Sequence, residues 1–152
     1  MKITSDELAG ITRLFGGLTR AELHDACNEL GYKQTGERPD DDIVDDAIDA
    51  AMDAYCLVLH EEHDYLIPGP AAFPTLPTYA EDLHHILDID MRDVDRHQPA
   101  MRLLDELESE LVEVDADRQA QIAQLSYDLE AWANVSASSL RSHVDTTEQP
   151  ET

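Results

Sequence analysis

Apolar residues recur every three or four positions through most of this chain, which is the spacing of one helix face. Two related phrases open the first two helices, ITSDEL at 3–8 and LTRAEL at 18–23. In each, a threonine oxygen is placed to accept from the backbone N–H three residues on. Glu7 or Glu22 is placed to accept in turn from the threonine's own N–H, and Ile3 with Leu8, or Leu18 with Leu23, is spaced for a hydrophobic staple. The first helix is predicted to end at Phe15, before Gly16 and Gly17. The second is predicted from Arg20 to Leu30, with Leu23, Ala26, Cys27 and Leu30 inward and Gly31 as its stop.

DDDIVDDAIDAAMDAY, residues 40–55, predicts a third helix. Ile43, Val44, Ala47, Ile48, Ala51 and Met52 fall on one face. Asp42, Asp45, Asp46, Asp49 and Asp53 fall on the other, so the aspartates form one side of an amphipathic helix rather than a disordered acidic run. YCLVLH at 55–60 and YLIP at 65–68 flank a polar turn and predict a β-hairpin. A proline-punctuated strap, PGPAAFPTLP, follows, with Phe73 and Leu76 expected to pin it to the core. Thr78 and Glu81 repeat the capping spacing ahead of a short helix through Leu83, Ile86 and Leu87, and an acidic loop runs from Asp88 to Asp95.

The last third carries two apolar stripes. Ala100, Leu103, Leu104, Leu107, Leu111 and Val114 form one; Ile122, Leu125, Leu129 and Trp132 form the other. The steps from Val114 to Arg118 to Ile122 break the heptad rhythm, which leaves one long helix with a stutter or two antiparallel helices jointed near Asp115. Ser, Thr and Pro dominate from Ser136, so a disordered tail is expected over 136–152. The fold class that results is mainly α with a small β-hairpin: a winged-helix-like N-terminal unit with strap and short helix over 1–97, and a C-terminal helical hairpin or long helix over 98–135.

The order helix, LTRAEL helix, helix, hairpin resembles the winged helix-turn-helix fold over residues 3–68. The C-terminal helices resemble the dimerisation helices that many winged-helix regulators append. LFGGLTRAEL, LIPGPAAFPTLP and AEDLHHILDID together resemble a haloarchaeal protein family of unknown function. In winged-helix regulators the third helix enters the major groove and the wing touches phosphates. Here those places would be taken by the five aspartates of the third helix and by Glu61, Glu62 and Asp64 at the wing tip.

Charge changes the picture that the periodicity draws. The 152 residues include 34 acidic and 10 basic ones, for a formal net charge of −24. A domain of this size ordinarily carries a magnitude of about 2 to 8. Only Lys2 and Lys33 are lysines. Such a surface repels itself at low ionic strength, and at molar salt the screening length of about 3 Å removes most of that repulsion. An acidic halophilic protein is the expected class. Binding of DNA by counterion release needs basic residues, and the third helix has none. DNA is therefore disfavoured as a partner, although Arg13, Arg20, Lys33 and Arg38 leave other surfaces open to it.

The candidate chemistry is sparse. His60 and His63 bracket two glutamates, but their spacing is not the helical H-E-x-x-H of zinc proteases; a solvated turn is expected, and no metal. His84 and His85 are adjacent and diverge. Asp88, Asp90, Asp93 and Asp95 lack the glycine and terminal glutamate of an EF-hand loop. No phosphate-cradling or nucleophile motif occurs, so neither enzymatic activity nor a cofactor is expected. Cys27 and Cys56 read as buried free thiols ahead of a disulfide. Met1 to Ser5 leads straight into a helix cap, so no signal peptide is expected, and the run from Tyr55 to Leu59 is too short to span a bilayer.

A cytoplasmic, non-enzymatic interaction domain follows as the expectation, in transcription or another nucleic-acid process, with a DNA-binding regulator at high salt as the alternative. Its interaction face would be Asp42, Asp45, Asp46, Asp49 and Asp53, with a surface that only holds hydrated cations as the equal alternative for those carboxylates. Its partner would be another protein or a second copy, the latter through Leu104, Leu107, Leu111, Leu125, Leu129 and Trp132.

Overall fold

The structure is a computed structural model and describes residues 2–142. The fold is mainly helical with one two-stranded antiparallel sheet. It divides between Val94 and Asp95 into two compact units.

In the first unit, α1 (Ser5–Phe15) and α2 (Arg20–Thr35) both begin with complete capping boxes. Glu7 N–H donates to Thr4 Oγ1 at 3.1 Å and Thr4 N–H to Glu7 Oε1 at 3.0 Å. The Thr19–Glu22 pair repeats this at 3.1 and 2.9 Å. α1 ends where expected, at Gly16, whose φ of 82° suits a residue without a Cβ. α2 does not end at Gly31; it continues to Thr35 and is closed by Gly36. Gly31 has a different task. A Cβ there would lie 2.6 Å from Pro39 Cδ and 2.7 Å from Glu37 O, so its missing side chain admits the returning loop.

α3 (Asp41–Asp53) buries Val44, Ile48 and Ala51. Ile43 is exposed because the apolar arc is wider than the surface α3 contacts, and Ile43 lies about 100° from the Val44–Ile48 line. β1 (Leu57–His60) pairs with β2 (Tyr65–Pro68), with Leu57 opposite Pro68 and His60 opposite Tyr65. The α1–α2 turn adds to this sheet through Leu18, which exchanges backbone hydrogen bonds with Leu66 at 3.0 and 2.7 Å. Phe15, Leu8, Ile11, Leu18, Leu23, Leu30, Ile48 and Leu57 fill the core completely buried. Each such side chain contributes about 1.5–3 kcal/mol. Cys27 lies in this core, free, and burial pushes its thiol up to about 12.

The strap is held differently from the expectation. Phe73 and Leu76 are 80% and 50% exposed. The strap is fixed by its backbone instead: Phe73 N–H donates to Asp6 Oδ1 and Thr75 N–H to Asp6 O, both at 3.1 Å. Thr78 and Glu81 form no cap. Tyr79, at φ 75°, leads into a 3-10 turn over Ala80–Asp82, and α4 is only Leu83–Leu87. Leu83 is its buried residue, while Ile86 stays exposed.

The second unit contains two helices, α5 (His97–Glu110) and α6 (Ala116–Trp132). Asp115 caps α6 by accepting from Arg118 N–H at 2.9 Å. Arg118 also joins Glu110 at the end of α5, and Arg96 beside the start of α5 donates to Trp132 O at the end of α6. Start meets end at both places, so the pair is antiparallel. The expected disordered tail does not begin at Ser136. Residues 138–142 are helical, Ala137 and Leu140 are buried, and Arg141 pairs with Glu130 at 2.9 Å. Apolar Leu140 and the Arg141–Glu130 pair outweigh the local Ser-rich composition. The rest of that expected tail, 143–152, lies outside the described residues. Among the described residues, no helix is long and apolar enough to cross a membrane.

Candidate functional site

The aspartate face of α3 is the most highly charged helix surface of the first unit, and α2 reaches across to it. Arg20 donates from Nη1 to Asp45 Oδ1 at 3.0 Å and from Nη2 to Asp49 Oδ1 at 2.7 Å. His24 Nε2 meets Asp45 Oδ1 at 2.7 Å. The hydrogen bond from His24, and next that from Arg20, hold the Asp45 carboxyl below the usual carboxylate range. At the helix start, Arg38 contacts Asp41 at 3.1 Å. Half-buried Asp45 and exposed Asp49 are thus engaged within the chain. Asp42, Asp46 and Asp53 are exposed and have no ion-pair partner among the described residues. The predicted face of five aspartates is therefore two populations: two that tie α3 to α2, and three that face solvent.

Beside this face, a cavity of about 210 Å³ is lined by Arg20, Met52, Leu59, Asp64 and Leu66. The hairpin tip carries Glu61, Glu62 and Asp64 outward. The turn itself, residues 61–64, is exposed as expected, and only His60 departs from it. His60 is only 2% exposed and its Nδ1 has no hydrogen-bond partner. Exposed His63 stacks between His60 and Tyr65, with ring centroids 5.3 and 5.6 Å away. His60 closes β1 directly opposite Tyr65, on the same face of the sheet. Among the described residues, no three His, Cys, Asp or Glu side chains converge as a metal site would require.

The sequence profile of a family of unknown function, DUF7109, matches residues 6–149. The chain belongs to that family. No curated protein and no solved structure matches it.

In this DUF7109 chain two further arrangements escape sequence reading. The first centres on Arg92, from the acidic loop between Asp88 and Asp95. Its guanidinium grips Glu22 through both nitrogens, at 2.5 and 2.8 Å, donates to Gly17 O at 3.0 Å, and lies 4.4 Å from the Tyr65 ring centroid. Arg92 N–H also donates to Phe15 O at 2.7 Å. The hydrogen bonds from Arg92 carry the Glu22 carboxyl down to about 2. A single arginine in an acidic loop was the available signal. The second is an apolar pocket at Arg13, described below. The residues expected to make a dimer seam lie inside the second unit: Leu104, Leu107, Leu111, Leu125 and Leu129 are buried there and Trp132 is half-buried.

Proposed function

We propose that this chain is a non-enzymatic protein-interaction domain with a winged-helix-like first unit, and that α3 presents its carboxylates to a basic patch on a partner protein. The observation that carries this reading is the division of the aspartates. Arg20 and His24 fix the orientation of α3 through Asp45 and Asp49, and that leaves Asp42, Asp46 and Asp53 unpaired on an oriented helix. Three fixed, solvent-facing carboxylates offer charge complementarity to a basic surface. The Leu18–Leu66 bridge supports the winged-helix likeness, because it ties the α1–α2 turn to the hairpin.

The DNA-binding alternative needs free basic side chains on one face. Of the four candidates, Arg20, Lys33 and Arg38 are each committed to aspartates, Asp45 and Asp49, Asp82, and Asp41, which leaves Arg13 alone among them. That weighs against a phosphate-binding surface. The free cysteines and the absence, among the described residues, of a membrane-spanning helix accord with a cytoplasmic setting. The charge of −24 accords with high ionic strength. A thermal melt by circular dichroism that is identical at about 0.1 M and 2 M KCl would remove the halophilic part of the proposal.

The deciding experiment is a tagged pull-down in molar KCl, with and without nuclease, comparing the native chain with a triple variant D42N/D46N/D53N. The expected result is a defined set of proteins that survives nuclease and is lost with the triple variant. Recovery of DNA that disappears with nuclease would overturn the reading in favour of a DNA-binding regulator.

A further inference from the structure

A pocket of about 280 Å³ opens between α1, the strap and α4. Its walls are Leu14, Pro74, Leu76 and Met91, with Arg13 and His84 supplying the polar groups. None of these residues belongs to α3, so the site is separate from the aspartate face.

Three features make it more than a gap under a loop. First, it is built. Gly10 of α1 lets the strap approach so closely that a Cβ there would sit 1.9 Å from Thr75 O, and Asp6 holds the strap backbone at both Phe73 and Thr75. His84 is packed on Phe15, with ring centroids 4.6 Å apart. Second, its apolar walls face solvent where burial would be the rule for residues this large. Leu76 is half-exposed and Met91 is 69% exposed. Third, its charge is opposite to that of the whole molecule. Arg20, Lys33, Arg38, Arg92, Arg118 and Arg141 all stand in ion pairs with Asp or Glu. Arg13, in a chain with 34 acidic residues, has no carboxylate partner among the described residues. Among the described residues, no acidic side chain lines the pocket.

An unpaired guanidinium beside an apolar cavity is complementary to one class of molecule. We propose that this pocket binds a small amphipathic carboxylate, with its hydrocarbon body against Leu14, Leu76 and Met91 and its carboxylate on Arg13. The volume stands near the lower bound of about 300 Å³ for ligand pockets, which selects a short chain or a single ring. Arginine is suited to this because its planar fork holds a carboxylate bidentately. The long-range repulsion that a chain of charge −24 exerts on any anion falls away at molar salt, whereas a contact pair on Arg13 lies within the screening length of about 3 Å and is weakened less.

The test uses the full chain, labelled with ¹⁵N, in molar KCl, and octanoate as the probe. Octylamine and 1-octanol, with the same hydrocarbon body, serve as controls. Octanoate is expected to shift the amide resonances of Gly10, Leu14, Leu76, His84 and Met91, and to bind more tightly than either control. Arg13→Gln should weaken octanoate by about tenfold and leave 1-octanol unchanged. Both Arg13 and Met91 are exposed, so Met91→Glu offers a second variant that keeps the fold; it should weaken octanoate by placing a carboxylate at the rim. Equal affinity for all three probes, or an R13Q variant that binds octanoate like the native chain, overturns the proposal. So does a pocket whose resonances ignore octanoate and shift with protein concentration, because its occupant is then a second copy.

Discussion

The two capping boxes of the first unit are spelled almost alike and end in different circumstances. At Thr4 and Glu7 the box closes on itself near the surface. At Thr19 and Glu22 the same local geometry forms, and the same glutamate also receives Arg92 from seventy residues away. One carboxylate thus starts α2 and anchors the loop that follows α4. A capping box is a local device worth about 1 kcal/mol; the second one has become a tertiary joint as well.

Unequal losses on truncation are the largest expected sign of this difference. Glu22→Ala removes a cap and leaves the part-buried Arg92 without its carboxylate, for an expected loss of about 3 kcal/mol. Glu7→Ala should cost about 1 kcal/mol. Urea melts of both variants measure this, and equal losses would abolish the distinction.

Acid should separate the boxes next. The Glu22 carboxyl stands at about 2 in the folded chain, below its ordinary 4.5. A depressed folded value means the stabilisation is complete above about 4.5 and is lost as pH falls from there towards 2, up to about 3 kcal/mol in all. Glu22→Gln should flatten that part of the stability–pH curve, and Glu7→Gln should leave it in place. A curve unaltered by Glu22→Gln contradicts the assignment.

Arg92→Lys is a finer probe. It keeps the charge and loses the two-pronged grip and the contact with Tyr65, so a loss of about 1–2 kcal/mol is expected in the same melts. The smallest contrast should lie between Thr4→Ala and Thr19→Ala. Each removes one hydroxyl acceptor, and the two should differ by no more than about 0.5 kcal/mol. A much larger loss at Thr19 would mean that the Arg92 joint depends on the threonine as well as on Glu22.

The same contrast explains which parts of the molecule were legible in its sequence. Both boxes, the α1 stop at Gly16, the hairpin and the amphipathic α3 depend on neighbours within a few positions, so spacing announces them. Gly31 misled because a glycine at a helix end and a glycine under a crossing loop look identical in one dimension; Pro39 decides which it is. Phe73 and Leu76 misled because an apolar residue in a strap is ordinarily an anchor, whereas here Asp6 holds the backbone and leaves the side chains out. The aspartate face was legible as a face, but its division into paired and unpaired members depends on Arg20 and His24 of another helix. Arg92 and the Arg13 pocket are products of chain crossings for which no periodicity exists.

Cys27 supplies a clock for opening of the first unit. Its thiol sits at the centre of the first unit and is held in the protonated form by burial, at about 12. An alkylating reagent needs both access and the thiolate, so its rate of modification in the native state reports how often that core opens. Cys56 is also buried, but at 8% exposure against 0% for Cys27 it should react first. The two thiols therefore grade partial opening against opening of the whole unit, without any label having to be added.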